Sequence, residues 1–196
     1  MDVRPANRSD HERIAAVLAA AFATDPPLSF LLPDEREPRL RRYFTALVPL
    51  YAAAGAIWTT EDRSGVALWL APGQYPLTAR ETLPVLPALA GVFAPRLRRA
   101  VGAQLAIDRH HPHDLPHWYL DYIGVEPAGQ GRGLGSKLLA PMLARCDMEH
   151  RGAYLNAGSP RSRDLYLRHG FVVRSELRLP FGGPPLWRMW REPRPV

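Results

Sequence analysis

The sequence predicts an α/β protein in which helices pack on the faces of a mixed β-sheet. The main observation is the order of segments in the C-terminal half, where strand-like residues 117–125 and 153–157 flank a helical pattern. This order is typical of sheets covered by helices. The length and composition fit such a fold, because 196 residues with 46% hydrophobic side chains can bury a substantial core. We therefore expect a single domain over residues 1–196.

The N-terminal segment is expected to hold a short strand and a helix. Residues 2–4 form the strand, and the helix opens at Ser9, because Ser9 and Glu12 fit the pattern of a capping box. Apolar side chains then recur at helical spacing. The helix should end at the two prolines that follow Asp25, since proline interrupts helical hydrogen bonding.

A second helix, a hairpin and an insertion follow. Residues 35–54 carry an apolar stripe at helical spacing, and Pro49 is expected to kink or divide this helix. Strands over 56–60 and 65–70 are joined by four polar residues that indicate a hairpin turn. Residues 72–116 are rich in proline and are interpreted as an insertion of short helices that shapes a binding cleft.

The C-terminal half is easier to interpret. A helix is expected over 133–149, with a kink at Pro141, and a short helix over 160–169. Residues 171–179 and 186–191 are the final predicted strands.

The charge balance first suggests nucleic acid as a partner. Lys and Arg number 25 against 19 Asp and Glu, a net charge of +6, and 24 of these cations are arginine. Acidic residues interleave with the cations instead of leaving one basic stripe, so we expect no nucleic-acid partner.

Membrane and secretory functions are also not expected. No apolar run approaches the length of a membrane-spanning helix, and the first 13 residues contain both charge signs without an apolar stretch. One cysteine, Cys146, excludes a disulfide scaffold, and its place on the apolar face of a helix predicts a packed thiol. We expect a cytoplasmic protein.

The most informative segment is a glycine-rich turn between a strand and a helix. Four glycines fall within the seven residues 129–135. Glycines let the backbone approach a ligand closely, and the N–H groups at a helix N-terminus suit a phosphate. Arg132 and Lys137 add positive charge. The pattern of a P-loop fails because Ser136 precedes Lys137, and the pattern of a dinucleotide turn lacks its third glycine in each register.

The turn Gln130-Gly131-Arg132-Gly133-Leu134-Gly135 and the later Tyr166-x-x-x-Gly170-Phe171 resemble the GNAT acyltransferases. Weaker similarity runs along the whole chain to the puromycin N-acetyltransferase branch of that superfamily. The resemblance implies the GNAT fold, a mixed and mostly antiparallel twisted sheet of about seven strands with helices on both faces. It also implies acetyl-CoA as cosubstrate.

The same resemblance implies roles for individual residues. Tyr166 would be the general acid that protonates the departing thiolate, which its phenol can do chemically. Val125 would also stabilise the oxyanion through its N–H group. The implied cofactor-binding residues are Ile123, Gly124, Val125, Gln130, Gly131, Arg132, Gly133, Leu134, Gly135, Ser136, Asn156, Arg161 and Arg163.

The sequence leaves the general base open. Asn156 stands where the puromycin branch has a glutamate, and an amide is not a base. Asp121 is our catalytic candidate, with Glu126 or a water chain to His117 or Tyr119 as alternatives. A β-bulge expected near 122–124 leaves the direction of these side chains undetermined.

The histidines near residue 110 first suggest a metal site. The prolines around them prevent the i, i+4 spacing of helical ligands, so we expect no metal. A loop at the rim of the acceptor cleft, with His111 or His113 touching substrate, is the preferred interpretation.

The sequence therefore predicts an N-acetyltransferase that moves an acetyl group from acetyl-CoA to a primary amine of a small molecule. The reaction would be direct attack in a ternary complex of a monomer or homodimer. The alternative is a non-catalytic acyl-CoA sensor on the same fold, motivated by Asn156.

Overall fold

A computed structural model describes residues 2–32 and 36–195. Within those residues seven strands form one sheet in the order β1-β2-β3-β4-β5-β7-β6. The strands are β1 Val3–Pro5, β2 Gly55–Thr60, β3 Gly65–Leu70, β4 His117–Val125, β5 Gly152–Ala157, β6 Val172–Arg178 and β7 Pro185–Arg191. β4 and β5 are parallel, and every other neighbouring pair is antiparallel. The predicted mixed, mostly antiparallel sheet is confirmed.

Helices cover both faces of the sheet. They are α1 His11–Ala21, α2 Pro26–Leu31, α3 Arg36–Ala54, α4 Ala79–Thr82, α5 Leu86–Phe93, α6 Leu97–His110, α7 Leu134–Met148 and α8 Pro160–Arg168. One core lies between the sheet and α1, α3 and α5. A second lies between the opposite face and α7, whose buried residues recur at helical spacing and include Cys146.

The start of the first helix differs from the prediction. Asn7, and not Ser9, is the cap of a 3-10 turn, since its side chain accepts a hydrogen bond from the Ser9 N–H group at 2.9 Å. Asp10 completes the box by accepting from the Asn7 N–H group at 3.0 Å. Ser9 also fits a capping box by residue type and spacing, because several polar residues in one turn can satisfy that pattern.

The predicted end of the helix was wrong, because α1 ends at Ala21, before Asp25, and the prolines that follow Asp25 begin another helix instead. α2 begins at Pro26, where a proline fits the first turn of a helix, and Asp25 is its N-cap. The predicted start of the next helix, Glu35, lies outside the described residues. Its end at Ala54 and the hairpin between β2 and β3 are as predicted.

The segment 72–116 contains α4, α5 and α6 joined by short 3-10 turns. α6 packs beneath the β6–β7 hairpin, where Ala103 joins Leu177, Leu179 and Leu186 in a third apolar cluster. Residues 72–116 therefore extend from α3 to the edge of the sheet that β6 and β7 form.

A buried ion pair attaches β7 to α7, and its loss should destabilise the fold. Arg191 donates to Asp147 at 2.7 Å through each of two nitrogens, with side chains only 4% and 18% exposed. We expect Asp147→Ala to lower the free energy of unfolding by about 3 kcal/mol, because it leaves a buried cation unpaired. Denaturant unfolding measures this.

The matched control is the exposed pair of Arg174 and Glu192, whose side chains are 55% and 69% exposed. Glu192→Ala should cost less than about 1 kcal/mol, since solvent screens such pairs. Equal losses in the two variants would contradict the assignment.

Candidate active site

The parallel strands β4 and β5 separate near the centre of the sheet. Their pairing ends at Leu120 opposite Leu155, although β4 continues to Val125 and β5 to Ala157. The register of β4 against β3 shifts at the same place, so that Asp121 is the additional residue of a β-bulge. The expected position of the bulge, 122–124, was therefore one residue too late. Beyond the bulge the two strands enclose an opening.

The backbone of β4 faces this opening at alternate residues. The Glu126 N–H group donates to the Ser64 carbonyl of the β2–β3 turn at 2.8 Å. Because successive residues of a strand direct their polar groups to opposite sides, Ile123 and Val125 point toward the opening, and Gly124 toward β3. The Gln130 side chain donates to the Val125 carbonyl at 3.0 Å, so the glycine turn is tied to this edge.

The glycine turn presents open space above a helix N-terminus. Gly131 and Gly133 have φ of +79° and +77°, a region that favours glycine, and a Cβ at either would meet nothing within 4 Å. α7 begins at Leu134, directly after Gly133, with no side-chain cap. The N–H groups of its first turn, including those of Gly135 and Ser136, have no acceptor within the helix. Such a terminus suits an anion.

The turn is joined to α8 by two side-chain contacts. Arg161, in the first turn of α8, donates to the Gln130 side-chain oxygen at 2.8 Å. At the other end of the helix, the Ser136 hydroxyl and the His169 ring nitrogen Nε2 lie 2.8 Å apart. These contacts fix α8 beside the turn.

Tyr166 projects from α8 into the apolar layer beneath the sheet. Ser159 caps the helix by accepting from the Ser162 N–H group at 3.2 Å, and the Tyr166 ring packs edge-on against Phe171 at 5.8 Å. The residue is 5% exposed. Burial, followed by the negative charge of Asp25, raises the pKa of the Tyr166 hydroxyl above its usual value. The phenol therefore keeps its proton at neutral pH.

Asp121 lies beneath two phenols on the other face of the sheet. Its Oδ1 atom accepts from the Tyr119 hydroxyl at 2.9 Å, and its Oδ2 atom accepts from the Tyr51 hydroxyl. Burial raises the pKa of the Asp121 carboxyl, although both phenol hydrogen bonds oppose this rise. Each oxygen of the Asp121 carboxylate therefore has a phenol donor.

Asn156 belongs to the same polar network. Its amide nitrogen lies 3.4 Å from the Tyr119 hydroxyl, and its amide oxygen accepts from the Tyr154 hydroxyl at 2.9 Å. Arg188 in turn donates to the Tyr154 hydroxyl at 3.3 Å. The network connects the opening with Asp121 on one side and with β7 on the other.

The other predicted residues are distributed unevenly around the site. Arg132 is exposed on the glycine turn. Arg163 pairs with Asp164 at 2.9 Å and lies over the Trp187 ring, whereas Arg161 contacts the turn. Glu126, an alternative base, pairs with Arg13 at 2.8 Å.

Two polar residues near the opening were not found from the sequence. Tyr51 is part of α3, where an aromatic residue fits an apolar stripe equally well. Asp25 was interpreted as part of a helix stop. Its carboxylate lies beside Gly158, just after β5, but no local sequence signal relates residues so far apart in the chain.

The histidine cluster lies at the opposite end of β4. A cavity of about 320 Å³ is lined there by residues that include Tyr75, His111, His113 and His117. His111 is 6% exposed and stacks on Tyr75 with ring centres 4.0 Å apart, and burial lowers its pKa to about 3. The rings of Tyr119 and Tyr154 pack edge-on against His111, with ring centres 4.9 and 5.0 Å away.

Residues 2–32 and 36–195 lack two features that would indicate other functions. They contain no group of three or more His, Cys, Asp or Glu side chains arranged to hold a metal ion. Over the same ranges, none of the helices combines the length and hydrophobicity needed to cross a membrane.

A sheet that opens between two parallel strands, with an uncapped helix N-terminus at that opening, defines an acyltransferase of the GNAT type. A family model described as an acetyltransferase (GNAT) domain matches residues 96–173. A Corynebacterium glutamicum structure, described as histone acetyltransferase HPA2 and related acetyltransferase, is 32% identical, with a TM-score of 0.76 over 100% of this chain and 97% of that one. The chain belongs to the GNAT acetyltransferase family.

Two further proteins are similar to this chain at lower identity. An uncharacterized N-acetyltransferase of Schizosaccharomyces pombe is 27% identical over 207 residues, covering 98% of this chain and 84% of the relative. A Drosophila melanogaster polyamine N-acetyltransferase shares the fold at 18% identity, with a TM-score of 0.66 over 97% and 98% of the two chains.

Proposed function

We propose that this acetyltransferase transfers the acetyl group of acetyl-CoA to the primary amine of a small molecule by direct attack in a ternary complex. The observation that carries the proposal is the opening between β4 and β5. The backbone edge at Ile123 and Val125 borders it, the glycine turn continues from that edge, and α8 with Tyr166 is tied to the turn. One bound thioester can contact all three.

The glycine turn supports acetyl-CoA as the donor. A pyrophosphate placed over Gly131 and Gly133 would meet no Cβ and would accept hydrogen bonds from the first turn of α7. Arg161 is held beside the turn, and Arg132 adds positive charge. We assign the 3′-phosphate of CoA to Arg161 and Arg163. The backbone edge at Ile123 and Val125 would receive the pantetheine arm as an added strand.

The chemistry needs a proton donor and a proton acceptor. The amine nitrogen attacks the thioester carbonyl, a C–N bond forms, and the C–S bond breaks. The Val125 N–H group would hold the oxyanion, and the Tyr166 hydroxyl would give its proton to the departing thiolate. The nitrogen proton would pass through Tyr119 to Asp121, whose raised pKa suits it to accept a proton.

The acceptor is proposed to be a small amine, as the name of the Drosophila polyamine enzyme suggests for a protein of the same fold. The puromycin N-acetyltransferase branch remains the proposed relationship within the family. Asn156 replaces the glutamate of that branch, so we do not expect puromycin itself as the acceptor. Residues 72–116 would shape the acceptor cleft of a single domain spanning 1–196, and the proposed location is cytoplasmic.

The test is a thiol-release assay with acetyl-CoA and a panel of polyamines, arylalkylamines, amino-acid esters, aminoglycosides and puromycin. We expect CoA release that depends on one class of primary amine, with mass spectrometry detecting one acetyl group on the product. Calorimetry of acetyl-CoA binding accompanies the assay. Binding without turnover on every amine would favour the acyl-CoA sensor, and absence of binding would contradict both functions.

A further inference from the structure

Asp25 brings a carboxylate to the end of β5. Its Oδ1 atom caps α2 by accepting from the Leu28 N–H group at 3.0 Å. Its Oδ2 atom faces Gly158, where a Cβ would lie 3.2 Å from that oxygen and 2.9 Å from Pro27. A larger residue at 158 would therefore displace the carboxylate.

Gly158 connects β5 with α8, and so this carboxylate lies where the strands have separated. α8, the helix that carries Tyr166, begins at Pro160, two residues after Gly158. The negative charge of Asp25 is one of the causes that raise the pKa of the Tyr166 hydroxyl. Asp25 and the start of α8 thus border one end of the opening.

The surroundings of Asp25 favour a cation. Burial raises the pKa of its carboxyl to about 6, and the Leu28 N–H group opposes that rise. Among the described residues, no cationic side chain contributes to this pKa. A half-buried carboxylate in such a place gains most from a positive group supplied by a ligand.

We propose that Asp25 binds the ammonium group of the acceptor and takes the first of the two protons that its nitrogen loses. The inference rests on the proposed function and narrows its substrate class to amines that arrive as cations. It also gives the acceptor an entry between the α1–α2 loop and α8.

The proton balance uses both carboxylates. The ammonium gives one proton to Asp25, and the free nitrogen then attacks the thioester. Tyr166 gives its proton to the sulfur and regains one from solvent, while Asp25 releases the proton it holds to solvent. The second nitrogen proton passes through Tyr119 to Asp121 and then to solvent, so each turnover yields an amide, CoA thiol and one released proton.

Asp25 would also adjust the acidity of Tyr166 during the reaction. The ionised carboxylate raises the pKa of the phenol before catalysis. Once Asp25 carries the ammonium proton, that contribution disappears, and the pKa of Tyr166 falls at the step that needs an acid. Deprotonation of the amine thereby prepares protonation of the thiolate.

The test is Asp25→Asn, compared with wild type on the best amine found in the panel. Asn is as good an N-cap as Asp, so α2 should keep its start. We expect kcat/KM for the amine to fall by about 100-fold, within the range of general acid–base effects, while the acetyl-CoA Kd is unchanged. Asp62→Asn is the matched control, because Asp62 also accepts local hydrogen bonds but lies in the β2–β3 turn.

The pH profile separates this role from a structural one. In wild type, kcat/KM should fall as pH drops through about 6, because the Asp25 carboxyl then takes up its proton. Tyr166 stays protonated over this range and Leu28 contributes a backbone N–H group, so neither of these neighbours titrates there. Asp121, the second proton acceptor, also has a raised pKa, so its own contribution to the pH profile should remain in both proteins and only the limb near pH 6 should disappear in Asp25→Asn. The loss of activity should also shrink for an amine that is already neutral at the assay pH.

The outcomes distinguish the two proposals. If wild type acetylates an amine but Asp25→Asn retains the same kcat/KM and the same acidic limb, the inference about Asp25 is overturned and the proposed function stands. The inference would also be overturned if Asp25→Asn loses activity, has a lower Tm, and is restored neither by a change of pH nor by a change of amine. That pattern would indicate that Asp25 acts only as the N-cap of α2. If wild type acetylates no amine, both proposals fall.

Discussion

Replacing Tyr166 by phenylalanine is expected to lower kcat by about 100-fold or more, the size of a general-acid contribution, while acetyl-CoA affinity changes little. The variant removes one hydroxyl and keeps the ring, which packs against Phe171. Without the phenol the thiolate must leave unprotonated or take a proton from water. Steady-state kinetics at saturating amine, together with calorimetry of acetyl-CoA binding, measure the two effects.

Tyr43→Phe is the matched control for this substitution. Tyr43 also has a buried hydroxyl, which lies 2.6 Å from that of Tyr122, but it belongs to α3 and not to α8. Loss of the Tyr43 hydroxyl should have a larger effect on the stability of the fold than on kcat. Unchanged turnover in Tyr166→Phe would exclude the phenol as the proton donor, and equal losses in the two variants would point to a general effect of removing buried hydroxyls.

Much of this fold could be predicted because its signals are local. The sequence of the glycine turn determines left-handed backbone at Gly131 and Gly133, and the apolar spacing of α7 determines which face is buried. Strand and helix alternation after His117 then requires a sheet with covered faces. The family resemblance added the strand number and the antiparallel majority.

The features that could not be predicted depend on tertiary contacts. The bulge at Asp121 is visible only from its register against β3, and its position determines that the side chain lies beneath Tyr51 and Tyr119. Asp25 is an ordinary helix cap by sequence. Its nearness to Gly158 results from how the α1–α2 loop crosses the end of β5, which no spacing along the chain reveals.

The largest effect on acetyl-CoA binding is expected from Gly133→Ala. The new Cβ enters the open space where the pyrophosphate is proposed to lie, and φ of +77° strains any other residue there. Loss of one or two hydrogen bonds to a charged group, each worth about 1.5–3 kcal/mol, should weaken binding at least tenfold. Calorimetric titration with acetyl-CoA measures the change in Kd.

A control variant must separate the effect of backbone strain from the effect of lost phosphate contacts, so it needs a glycine with the same backbone conformation as Gly133. Gly182 has φ of +74° and nothing within 4 Å of its ideal Cβ, yet it lies in the β6–β7 hairpin. Gly182→Ala should therefore cost similar folding stability and leave the acetyl-CoA Kd unchanged. If both variants bind acetyl-CoA as tightly as wild type, the turn does not hold the pyrophosphate. If only Gly133→Ala weakens binding, the open space above the turn is where the donor binds, since strain is common to both.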